Sequence, residues 1–181
     1  EASPFSVVCA DVVYLPEPYL SQQCYVTKFA CLLRLDGEDA SSLQSAFEAT
    51  WKTLGKKPSY LLTDNGAAFL KCDLTGVIES LHRTVRMWMR SAMADDESLT
   101  VEQAIAKVMK AYNRSVHFST GRIPADMLKL DTSSVEWQRL VDTAVLDAEK
   151  KIDSCTRHEL YPGAVVRVRA VNKFDKVVTK T

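Results

Sequence analysis

The run Val7-Val8-Cys9-Ala10-Asp11-Val12-Val13-Tyr14-Leu15 is apolar and β-prone around a single central carboxylate, and Pro16 and Pro18 stop it. A strand without polar alternation is buried on both faces, so other elements must cover the sheet above and below it. An ionised carboxylate inside such a strand is costly unless a cation or hydrogen-bond donors meet it. Asp11 therefore has two readings that the strand alone leaves level: ligand to a divalent metal, or an aspartate at a strand end or bulge satisfied by local hydrogen bonds.

The stretch Cys24 to Leu35 is again apolar and β-prone, long enough for a second strand that bends into a third, with a turn at Asp36-Gly37. Ser41 or Ser42 then caps a helix through Leu54, whose Leu43, Phe47, Trp51 and Leu54 fall at helical spacing, and Gly55 ends it. Ser59-Tyr60-Leu61-Leu62-Thr63 reads as a short strand delivering Asp64-Asn65-Gly66 into a turn. Strand, helix and strand in this order predict an α/β layer fold. Helices follow from Gly76 to Met93, from Val101 to Tyr112, and from Pro124 to Leu130. Ser134 to Arg157 spaces Trp137, Leu140, Val141, Ala144, Val145 and Ala148 as one long helix, and Tyr161-Pro162-Gly163 turns into a strand at Ala164 to Arg169.

Bulk properties exclude several classes. With 46% hydrophobic and 25% charged residues the composition is that of a soluble globular chain, and no apolar run approaches the roughly 18 residues of a membrane span. Nothing at the start reads as a signal peptide. Five cysteines, odd in number and without a CxxC pair, argue against a disulfide framework or structural zinc and favour an intracellular, reducing compartment. Net charge is zero, but residues 150–181 hold eight Lys/Arg against three Asp/Glu, so the tail is the basic part.

Two further carboxylates stand out. Asp64 precedes Asn-Gly, a common tight-turn pair for which an aspartate cap is the ordinary explanation, yet it also lies where open α/β sheets tend to hold ligands. Glu79 shares one helical face with Arg83, Arg86 and Arg90, opposite Ile78, Leu81, Val85 and Trp88. A solvated amphipathic helix explains that pattern, and so does a face for phosphodiester backbone, since arginine forks match phosphate geometry. His82, His117 and His158 have no ligand spacing, and packing accounts for Trp51, Trp88 and Trp137.

Taken in order, the segments Pro4 to Asp11, Leu62 to Phe69, Gly76 to Val85 and Tyr112 to Pro124 resemble four motifs of the catalytic core of retroviral and retrotransposon integrases and their Polinton relatives, with Ser80 where the family has a basic residue. The resemblance implies an α/β, RNase H-like core with a central mixed sheet flanked by helices over 1–131, a linker helix over 132–158, and the incomplete start of an SH3-like carboxy-terminal domain over 159–181. It implies catalytic and metal-binding roles for Asp11, Asp64 and Glu79, with two Mg²⁺ or Mn²⁺ ions serving an in-line displacement at a phosphodiester. It further implies DNA contacts by Arg83, Arg86, Arg90, Arg167 and Arg169, a homo-oligomer, a nuclear location, and a chromatin or nuclear protein partner.

One departure from the family bears on activity. Fourteen residues separate Asp64 from Glu79, where the family's two-metal site is completed after roughly 35. An interval shortened by evolution cripples the site, whereas a loop missing from this sequence leaves the triad intact. The expected function is accordingly DNA 3′-end processing and strand transfer. The alternatives are an inactive, domesticated integrase that binds protein or nucleic acid, and an RNase H-like nuclease that cuts without joining.

Overall fold

The computed structural model describes residues 3–37, 39–63, 75–154, 169–171 and 177–179. Strands β1 (Val7–Tyr14), β2 (Pro18–Cys24), β3 (Ala30–Arg34) and β4 (Tyr60–Leu62) form one sheet in the order β3-β2-β1-β4. β1 pairs antiparallel with β2 and parallel with β4, so the sheet is mixed and β1 is interior, as its unbroken apolar run requires.

The second strand departs from expectation. It lies at Pro18–Cys24, the turn occupies residues 25–27, and of the predicted stretch only Cys24, at the end of β2, and Ala30–Arg34 are strand. Ser21-Gln22-Gln23 disguises β2 as a loop because all three residues are polar, yet all are at most 1% exposed. Each is instead bonded to a different helix, which offsets part of the cost of burial: Ser21 Oγ lies 2.6 Å from His82 Nε2, Gln22 Nε2 donates to Thr50 Oγ1 at 2.8 Å, and Gln23 Nε2 donates to Tyr112 Oη at 2.6 Å. Pro18 opens the strand, where a missing N–H is tolerated.

Five helices complete the described chain: α1 (Ala40–Leu54), α2 (Thr75–Asp95), α3 (Val101–Arg114), α4 (Pro124–Met127) and α5 (Val135–Ser154). The cap of α1 is Asp39 rather than Ser41 or Ser42, because its carboxylate accepts from Ser41 N, Ser42 N and Ser42 Oγ at 2.9, 3.0 and 2.8 Å. Gly55 ends α1 in the left-handed region at φ 66°, which a glycine adopts without strain. Thr100 and Gln103 form a reciprocal capping box at the start of α3.

Strand alternation divides the core between two layers. Cys9 and Val13 of β1 join Tyr19 of β2 against Ile78, Leu81, Val85 and Met89 of α2 and Ile105, Val108 and Tyr112 of α3. On the other face Val8 packs with Phe5, Cys24, Val26 and Trp137, while Ala10 and Leu20 pack with Ala46 of α1. Trp137, expected within a linker helix, is only 1% exposed, so the first turns of α5 are held in the core.

Beyond α5, β5 (Arg169–Val171) and β6 (Val177–Thr179) pair antiparallel. Most of the predicted strand at Ala164 to Arg169, including Arg167, lies outside the described residues. Cys9 and Cys24 are buried and Cys31 is half-buried, and among the described residues no helix is long and apolar enough to cross a membrane. Trp137→Ala is expected to cost about 3–5 kcal/mol, as for other large aromatics removed from a core; urea unfolding measures it.

Candidate catalytic site

Asp11 has the same strand parity as Cys9 and Val13, so its side chain projects from the sheet toward α2. Val12 N donates to Asp11 Oδ1 at 2.8 Å, a local bond of the kind expected for a strand aspartate, while Oδ2 faces His82 Nδ1 at 3.8 Å. The side chain keeps 30% of its surface exposed, with one carboxylate oxygen held by a backbone N–H.

His82 is the site residue that sequence reasoning missed. It is 6% exposed and wedged between Asp11 and Ser21, which face each other as register partners across β1 and β2. The available signal was its position three residues after Glu79, close to one turn along the same helix. Glu79 itself is exposed on α2, as are Arg83, Arg86 and Arg90, while Ile78, Leu81 and Val85 are buried and Trp88 is half-buried. The predicted division of α2 into a charged and an apolar face is therefore observed.

Asp64 falls outside the described residues. The β1–β4 register is described as far as Cys9 beside Leu62, two residues short of Asp11 on one strand and of Asp64 on the other. Among the described residues no three His, Cys, Asp or Glu side chains converge as a metal site. A cavity of about 600 Å³ opens on the Ser80, Thr84 and Trp88 side of α2 and includes neither Asp11 nor His82.

Burial, and after it the Arg86 guanidinium, push the His82 imidazole down from 6.5 to about 4, against the pull of the nearby Asp11 carboxylate. The ring is therefore neutral near pH 7. The unfolded chain takes up this proton near 6.5 and the folded one only near 4, so acid favours unfolding. In EDTA, stability is expected to be full above pH 6.5 and to fall by about 3 kcal/mol as the pH drops to 4. Denaturant titrations of His82→Asn should lack that part of the slope.

No protein-family model matches the chain, and no curated protein matches it significantly. Among solved structures, it is similar to the catalytic core domain of HTLV-2 integrase in complex with magnesium, in a trimeric form (TM-score 0.56, 21% identity, 69% of this chain and 97% of the other). The dimeric form of that domain matches equally, at TM-score 0.56 and 21% identity over 70% of this chain and 97% of the other. A chain of the simian T-cell lymphotropic virus intasome, in complex with PP2A regulatory subunit B56 gamma, matches at TM-score 0.59 and 14% identity, over 74% of this chain and 58% of the other. The chain thus has the RNase H-like fold of a retroviral integrase catalytic core.

Proposed function

We propose that the protein is an integrase-type polynucleotidyl transferase that processes DNA 3′ ends and joins them to a target, with Asp11, Asp64 and Glu79 as its catalytic carboxylates. The observation that supports this most is Asp11: a carboxylate central in an interior strand, one oxygen held by a backbone N–H and the other beside α2, the helix of Glu79. The HTLV-2 cores of the same fold are complexes with magnesium.

A set of carboxylate oxygens suits hard divalent cations, so Mg²⁺ or Mn²⁺ fits these residues. Two such ions, when bound, supply activation of the attacking hydroxyl and charge stabilisation at the leaving oxygen. Asp11, Asp64 and Glu79 would hold them. Arg83, Arg86 and Arg90 line the exposed face beyond Glu79 and would bind the phosphodiester backbone, with Arg167 and Arg169 as further contacts from the basic tail. Joining two DNA ends to one target calls for a homo-oligomer, and such substrates call for a nuclear location, with a chromatin or nuclear protein as a further partner.

A second reading, an inactive domesticated core that binds protein or nucleic acid, is favoured by the 14-residue interval between Asp64 and Glu79. A Mn²⁺-dependent strand-transfer assay, with any natural loop restored, separates the two. Joined products that disappear in Asp11→Asn, Asp64→Asn and Glu79→Gln are expected; an inactive parent protein rejects the enzyme. For DNA binding, Arg83→Ala and Arg86→Ala should each weaken affinity uniformly across duplex sequences and lower the slope of log K against log salt by about 1. Fluorescence anisotropy at several salt concentrations reads both effects.

A further inference from the structure

Phe118 is fully exposed and Val116, two residues before it, is 65% exposed, although hydrogen bonds brace the loop that carries them. His117 N donates to Arg122 O at 2.8 Å, and His117 O accepts from Gly121 N at 2.8 Å and from Thr120 N at 3.2 Å. Gly121 makes the return at φ 62°. The His117 ring packs edge-on against Tyr112 at 5.8 Å between centroids, and its Nδ1 lies 3.0 Å from Ser119 Oγ. His117 thus takes the inward place on the loop, and its neighbour Phe118 is turned out. A phenyl ring held in water by a braced backbone is apolar surface that burial would stabilise.

That ring borders the cavity of about 600 Å³ between α2, the end of α3 and α5, whose walls include Trp88, Tyr112, Leu140 and Ala144. Being fully exposed, Phe118 does not fill it. An apolar knob and an apolar hole therefore lie side by side in one patch. Charge follows the same pattern, since the cavity is lined by one ammonium, Lys28, and one carboxylate, Asp147. Burial holds the His117 imidazole below its ordinary 6.5, so it adds no charge near pH 7. A surface that carries a knob beside a hole and a cation beside an anion is complementary to a copy of itself turned about a two-fold axis, which is what an isologous contact requires. A partner of one charge sign would meet a like charge somewhere on this patch.

We propose that the patch is a contact between two copies of this chain, in which Phe118 of each enters the cavity of the other and Lys28 of each faces Asp147 of the other. The contact deepens the proposed function, which calls for a homo-oligomer, and rests on it only in that respect. Arg83, Arg86 and Arg90 do not line the cavity, so the contact and the proposed DNA face occupy different parts of α2.

Sedimentation of the full chain over a series of concentrations, in EDTA and without DNA, tests the contact. Phe118→Ser removes the knob, and Thr143→Trp fills the hole from an exposed position of α5. Each should raise the dissociation constant of the dimer at least about 30-fold, the loss typical of a central aromatic contact, while keeping the parental urea midpoint. Mixing the two variants should recover a dimer of intermediate affinity, because the knob of the Thr143→Trp copy still fits the hole of the Phe118→Ser copy. A parent chain that stays monomeric at every concentration overturns the proposal. So does a dissociation constant moved by neither variant or by only one, or a mixture that associates no better than its components. Asp11→Asn should associate as the parent does, so that a failed strand-transfer assay and a failed contact are read apart.

Discussion

Three consecutive polar residues buried in β2 tie the sheet to its helices. Ser21 meets α2 through His82, Gln22 meets α1 through Thr50, and Gln23 meets α3 through Tyr112. Apolar packing between sheet and helix is non-directional and tolerates sliding, whereas a buried hydrogen bond is satisfied in one arrangement and costly in others. Alternation sends Ser21 and Gln23 to one face and Gln22 to the other, so the same short segment sets the register of both layers. Half of each amide is left over, since Gln22 Oε1 and Gln23 Oε1 have no hydrogen-bond partner among the described residues. These bonds therefore specify the arrangement more than they deepen its stability, for which the hydrophobic clusters on the two faces are responsible.

The same segment explains where sequence reading succeeded and where it failed. Helices were legible because their apolar faces repeat: Ile78, Leu81 and Val85 of α2 and Ile105, Val108 and Met109 of α3 are all buried. β1 was legible because it is apolar throughout. β2 was not, because period and hydrophobicity both vanish at Ser-Gln-Gln, and only three-dimensional partners reveal that these residues belong inside. The cap of α1 was misplaced for a smaller reason: Asp39 lies two residues before the first serine of the helix, and its carboxylate reaches both serine N–H groups.

The candidate site divides along the same line. Asp11 stood out as a charge where charge is expensive, and Glu79 as the acidic head of an arginine-lined face. His82 did not, since in a helix of mixed pattern a histidine looks like any other half-polar residue. Its meaning comes from contact with Ser21 and Asp11, residues more than sixty positions away in the chain.

The pairing of β1 with β4 has a consequence for the order in which the chain assembles. β1, β2 and β3 meet through short turns, so their meander can condense locally. β4 joins only by bringing Tyr60 beside Val7, across the whole of α1, and loop-closure entropy is lost before the three-residue pairing returns anything. By loop-closure entropy that edge is expected to close after the meander. The ends of α1, the Asp39 cap and the Gly55 stop, thus fix the length of the helical crossover that β4 must complete to reach that edge of the sheet.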